Sequence, residues 1–361
     1  MQLMQRMVWG RGCRCPLLEG IVDFFGQWIE KEKKMRMKEK GFTLVELLVV
    51  IAIIALLMGI LLPSLARVKI IANRMKCGTN LADMGKSMMM YAEENRQSYP
   101  VGGIRGSTWV QLSEANPGIK QWDASTRELA FGNDGKDATI TSCLYLLIKY
   151  GNMTPKQFVC PDDADTTEFT LAGEYKSLGI TDTTAMIKEL TDAWDFGSNP
   201  GIHCSYSYHM PFPNSDDATK SYCLGPTTSS GSPLCGDRNP YLDKNAKDYL
   251  KDPRIPNPYF SDKDGEYHDD KNKGNAFVHS RKAQNVLFND GHISAEPYPD
   301  AGINNDNIWK VWPDYGKTPT SQEMEIGSET DIFAYTPTAG NASPRGKDDS
   351  CLVNERNDNK E

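Results

Sequence analysis

Residues 42–65 form a run of about 24 residues that is apolar almost throughout, and between positions 47 and 62 it carries no charge. A helix needs about 20 predominantly apolar residues to cross the hydrocarbon core of a bilayer. The run therefore fixes the architecture: one membrane-spanning helix near the N-terminus, with most of the chain on one side of it. A secretory signal has an apolar stretch of only about 7–15 residues followed by a small-residue cleavage site. This run is longer, and no Ala-x-Ala site follows it. The basic stretch 31–40 precedes it, which places the N-terminus in the cytoplasm and the bulk of the chain outside. Two residues mark it as more than a plain anchor. Glu46 lies inside its start, and an acid at membrane depth is costly and points to function. Pro63 lies at its far end, where it can kink or locally melt the helix, with neighbouring subunits re-satisfying the freed carbonyls.

The sequence Gly41-Phe42-Thr43-Leu44-Val45-Glu46, with basic residues before it and the apolar run after it, resembles the class III signal of type IV prepilins and type II secretion pseudopilins. The resemblance implies cleavage between Gly41 and Phe42 on the cytoplasmic side by a prepilin peptidase/methyltransferase, and N-methylation of Phe42. It implies that Glu46 pairs with the N-terminal amine of a neighbouring subunit, as a buried carboxylate requires. Pro63 falls where many pilins also carry proline. The implied partners are other pilins or pseudopilins and an inner-membrane assembly platform. The implied location is the inner (cytoplasmic) membrane, with the head in the periplasm or in an extracellular filament. The leader is 1–41; Met35 or Met37 gives a shorter basic leader, so 1–34 is read as an over-extended start.

The segment 1–40 carries nine Lys/Arg and five Asp/Glu, about +4, so the remainder of a chain of net charge −8 is about −12. That leaves no basic surface for nucleic acid. Beyond the anchor the chain is polar and rich in Gly, Pro, Asn, Asp, Ser and Thr, as in a loop-rich extracytoplasmic domain. Seven cysteines follow the leader, and an extracytoplasmic location permits disulfides. Cys223 with Cys235, and Cys160 with Cys204, are the expected pairs. The odd count leaves one thiol over.

Past Pro63 the helix is expected to resume over 66–97. Leu65, Val68, Ala72 and Met75 recur at helical spacing, as do Leu81, Met84, Met88 and Tyr91. The second stripe is expected to pack against a head, and the helix to end before Tyr99-Pro100. Within 77–100, Cys77, Asn80-Leu81, Gly85, Tyr91 and Pro100 are similar in spacing to a pilin-like family abundant in planctomycetes. Phe158 to Asp163 resembles that family's Cys-Pro-x-Asp segment, and Ser205-Tyr206-Ser207-Tyr208 its Ser-Tyr strand. His279 to Asp290-Gly291 resembles its His-x9-Asp-Gly element, with ten residues between rather than nine. This element also reads directly as a β-hairpin. Its strands are 285–289 and 292–295, its turn is a type I′ Asp290-Gly291, and Val286 and Phe288 face away from Leu287. A short helix is expected over 144–150 and loops through most of 205–275. The head spans 98–313, and 314–361 is a polar tail, disordered from 345 onward. The fold class is α+β and pilin-like, a long N-terminal helix packed against an antiparallel sheet.

No Gly-x-Ser-x-Gly, His-Glu-x-x-His or P-loop occurs, and the expected role is structural, not enzymatic, with no cofactor. The minor readings are a metal site from His279, Asp290 and His292, joined by His203 and His209, which would serve a tethered hydrolase, and a calcium loop at Asp262, Asp264 and Glu266. Trp109, Trp122, Trp194, Tyr206 and Tyr208, if exposed on one face, would instead make the head a membrane-anchored binding protein for polysaccharide or secreted cargo.

Overall fold

The computed structural model describes residues 43–103, 122–131, 138–180, 187–212, 223–243, 275–309, 311–312, 320 and 344–355. It divides into two units, Met1–Leu65 and Ala66–Glu361. Helix α1, Leu44–Glu94, runs through both, and its backbone stays helical through position 63.

In the first unit, Leu44–Leu62 is long and apolar enough to cross a membrane, and none of it is buried. In the second unit the same helix carries a buried stripe: Cys77, Leu81, Met84, Met88 and Ala92 are all 1% exposed or less. Steps of three and four residues put them on one face, and Tyr91 joins their edge, so the expected core stripe is observed. The other stripe is not packed, since Leu65, Val68 and Met75 are each about 60% exposed or more. The helix closes where Arg96 and Gln97 take left-handed backbone and Gln97 N–H donates to the Ala92 carbonyl, ahead of Tyr99-Pro100.

The sheet has five antiparallel strands: β1 Tyr206–His209, β2 Pro233–Asp237, β3 Gln284–Phe288, β4 Ile293–Glu296 and β5 Leu352–Val353, in the order β4-β3-β2-β1-β5. One face packs on α1. A Cβ at Gly85 would come within 3.0 Å of Leu287 Cδ1, so the missing side chain sets how closely helix and strand approach. Val286 and Phe288 face the other way, into a second cluster with Ile308, Trp309 and Leu352. With both faces covered, β1, β2 and β3 are buried at every position, and only the edge strand β4 is partly open.

The 279–291 hairpin forms as expected, but its turn differs. Only Gly291 has positive φ, and Gly291 N–H donates to Phe288 O. This is a type I turn over Asn289-Asp290 completed by a left-handed glycine, a three-residue loop and not type I′. Nor is the tail disordered through 345–361. Residues 344–355 supply strand β5, and Glu355 is fully buried. Its carboxylate accepts from Ile140 N–H at 2.8 Å, at the start of the helix Ile140–Lys149. That helix begins four residues earlier than expected because Thr139 and Ser142 form a capping box there. Beside it Tyr145, Phe158, Phe169 and Phe196 meet edge to face, with Tyr145 and Phe196 centroids 4.9 Å apart.

Asp195, fully buried next to this cap, accepts from the Thr139 and Thr141 hydroxyls and from Phe196 N–H. Burial dominates these bonds and pushes its carboxyl up to about 7. The unfolded carboxyl ionises near 4, so between these values the folded chain holds the extra proton and stability falls as pH rises. Asp195→Asn removes that dependence. Relative to wild type, the variant is expected to gain a few kcal/mol between about pH 4 and pH 8, at ~1.4 kcal/mol per pKa unit. Urea unfolding at a series of pH values measures this, and a difference that stays flat across the range would contradict it.

Candidate functional site

Among the described residues, a group of chemically capable side chains lies between α1 and the sheet of the second unit. Cys77 comes from α1, and Cys160 follows the 3-10 turn Pro155–Phe158. Asp237 ends β2, and His279 opens a 3-10 turn before β3. One ligand atom from each of Cys77, Cys160 and His279 lies within 4.8 Å of the others, and all three residues are buried. Cys77 Sγ donates to Asp237 Oδ1 at 2.9 Å, and His279 Nε2 lies 3.5 Å from Asp237 Oδ2 and 3.7 Å from Cys160 Sγ. On the outer side, Asp162 Oδ2 accepts the His279 backbone N–H at 2.6 Å and lies 3.5 Å from Nδ1.

The electrostatics follow from these contacts. Contact with Cys77, with help from His279, draws the Cys160 thiol down against burial. Burial, the bond to Cys160 and the nearby Asp237 charge push the Cys77 thiol well up. Burial opposes protonation of His279, but bonds to Asp237 and Cys160 outweigh it and hold the imidazole up at about 10. His279, Ser280 and Arg281 all have φ near +55°, a left-handed conformation that costs a non-glycine residue roughly 1–2 kcal/mol.

This arrangement corrects the expected ligand set. His279 faces Cys77 and Cys160, not Asp290 and His292. Those two pair with each other at 2.5 Å on the exposed hairpin turn, where His292 also stacks on Phe288. His203 turns its Nδ1 to the Thr167 carbonyl, and burial lowers its pKa. Burial lowers His209 to about 4. Neither His203 nor His209 joins the group around His279. The expected disulfides are not formed. Cys223 Sγ donates to the Pro211 carbonyl, while Cys235 lies against Met88 Sδ in the core. Cys204 Sγ turns to the Tyr206 carbonyl, and Cys160 is engaged at His279. Trp122, Trp194, Tyr206 and Tyr208 are all buried and so form core, not an exposed binding face. Trp109 and the acidic loop Asp262, Asp264 and Glu266 lie outside the described residues.

The second place of interest is the start of α1. Gly41 and Phe42 lie outside the described residues, but Thr43 and Glu46 lie within them. Thr43 N–H and Thr43 Oγ1–H donate to Glu46 Oε2 at 2.9 and 2.8 Å, and Glu46 N–H donates back to Thr43 Oγ1 at 3.3 Å. This is a reciprocal capping box. The carboxylate that the sequence assigns to a neighbouring subunit has a partner within its own chain. The Thr-x-x-Glu spacing carried that signal. From Leu47 to Leu62 the surface of the helix is apolar and uncovered.

Residues 36–62 match the family model of the prokaryotic N-terminal methylation motif. The match contains Gly41, Phe42, Glu46 and nearly all of the apolar span. It supports a type IV pilin- or pseudopilin-like protein in general, processed by a prepilin peptidase and assembled with other pilins. Motif and helix together fit a single-pass, membrane-anchored protein. No curated protein and no solved structure matches the chain.

Proposed function

We propose that this chain is a structural, non-enzymatic subunit of a type IV pilus or type II secretion pseudopilus. It is cut between Gly41 and Phe42 and methylated on the new N-terminus, with its head outside the cytoplasm. The observation that carries the reading is the methylation motif at 36–62 placed directly on an uncovered apolar helix. An uncovered helix of this composition inserts in lipid before assembly and needs other apolar helices around it afterwards. In the second unit Val68, Ile71 and Met75 are exposed as well, apolar surface that neighbouring subunits could cover. The cut needs a small residue at Gly41, because the peptidase must bring its catalytic groups against the backbone there.

Intact mass and N-terminal sequencing of the membrane-extracted chain, with and without a co-expressed prepilin peptidase, test this. The expected product begins at Phe42 and carries one extra methyl group in the native host. Gly41→Val is expected to remain uncut. A wild-type chain that stays uncut, or is cut beyond residue 60, would sink the proposal.

A further inference from the structure

We propose that Cys77, Cys160 and His279, with Asp237 as the fourth group, form a binding site for a thiophilic divalent cation of the zinc type that fastens α1 to the sheet. The distances fit such a shell. Tetrahedral zinc with ligands at about 2.0–2.3 Å has ligand-to-ligand edges of about 3.3–3.8 Å. Cys160 Sγ to His279 Nε2 is 3.7 Å, and His279 Nε2 to Asp237 Oδ2 is 3.5 Å. The 2.9 Å contact between Cys77 and Asp237 is a thiol-to-carboxylate hydrogen bond. It gives way when the thiol proton leaves and both groups turn to the ion. Binding releases to solvent the protons carried by the two thiols and by His279 Nε2, leaving two thiolates, a neutral imidazole and a carboxylate around the cation. Two sulfurs and an imidazole select zinc-type ions over magnesium or calcium.

The surroundings are those of a metal site. A metal-bound imidazole is oriented by an acceptor on its other nitrogen. His279 Nδ1 makes no hydrogen bond and faces Asp162 Oδ2 at 3.5 Å. Asp237 Oδ2 is fixed by Asn285 N–H at 2.7 Å. The competing chemistry is a Cys77–Cys160 disulfide. It would use the two sulfurs but not the buried histidine and the fully buried aspartate beside them, nor the left-handed turn that opens at His279. A cation uses all four groups.

The test uses the full chain, extracted in detergent under reducing conditions. Elemental analysis is expected to give about one zinc per chain, as a single tetrahedral site requires. Replacement by Co2+ is expected to give the visible bands of a tetrahedral ion and a sulfur-to-cobalt charge-transfer band. Cys77→Ser, Cys160→Ser and His279→Gln should each abolish those bands. Cys204→Ser, at a buried thiol outside the group, should keep them. Asp162→Asn leaves all four ligands in place and is expected to weaken the metal about 10–100-fold, as removal of an orienting partner does. Should the ligand variants fail to fold, the cobalt spectrum of the wild type and of Asp162→Asn still decides. Folded, reduced wild type that takes up neither Zn2+ nor Co2+ stoichiometrically would overturn the site. So would native-host protein that is two hydrogens lighter with Cys77 and Cys160 in one disulfide-linked peptide.

Discussion

Arg238→Ala is expected to destabilise the head by roughly 3–5 kcal/mol, the usual loss when one member of a buried charged network is removed. Arg238 is 3% exposed and lies just past β2. Its Nη2 donates to the carbonyls of Gly201 and Cys204 and to Thr166 Oγ1, and its Nη1 donates to the Glu355 carbonyl. Its Nε lies 3.8 Å from Asp163 and 3.7 Å from Asp243. One planar fork thus joins the segment after Cys160, the approach to β1 and the C-terminal segment. Truncation takes the guanidinium away from the carbonyls of Gly201 and Cys204 and from the carboxylates of Asp163 and Asp243 in the interior. Lysine is a compact point charge and cannot reproduce the fork, so Arg238→Lys should recover only part of the loss. Urea unfolding followed by near-ultraviolet circular dichroism measures both. A loss below about 1 kcal/mol for the alanine variant would mean that water or a rearranged loop satisfies these groups.

The position of Arg238 marks where the sequence stops being legible. The membrane helix and the Leu81, Met84, Met88, Tyr91 stripe were readable because helical periodicity is local and α1 has one covered face. The β3–β4 hairpin was readable from its turn residues, though not the turn type, which depends on whether Asp290 or only Gly291 takes positive φ. Strand β5 was hidden because 344–355 looks polar. Its charged residues are buried as partners, with Glu355 at the start of a helix and Asp349 accepting from Trp312 N–H and Arg345 N–H. The group around His279 was hidden for a similar reason. Cys160 and His279 are 119 positions apart, and ligand-spacing patterns find only neighbours in sequence. Asp290 and His292 stand near His279 in the sequence, but the hairpin turns both to solvent. Glu46 shows the opposite case. Its Thr-x-x-Glu pattern is local and signals a cap, while its place in an apolar span points to a partner outside the chain.

That double reading of Glu46 leads to the second large effect. Under the proposed assembly, cleavage after Gly41 creates a cationic amine on Phe42, and a neighbouring subunit's carboxylate is the group able to pair with it in lipid. In the single chain Glu46 instead accepts from Thr43 N–H and Thr43 Oγ1–H. Assembly then exchanges a local cap for an intermolecular charge pair, and three variants separate the two roles. Glu46→Leu removes both cap and charge while making the span more apolar. It should insert in the membrane and be cut normally, yet enter filaments roughly tenfold less or worse, because each amine is left unpartnered. Glu46→Gln keeps a capping-box acceptor and loses only the charge, and should fail almost as badly. Thr43→Ala breaks the cap and keeps the charge, and should assemble close to normally. The readout is the processed chain recovered in sheared filaments, relative to that left in membranes. If Glu46→Gln assembled like wild type while Thr43→Ala did not, the carboxylate would be acting as a helix cap alone, and charge pairing between subunits would have to be abandoned.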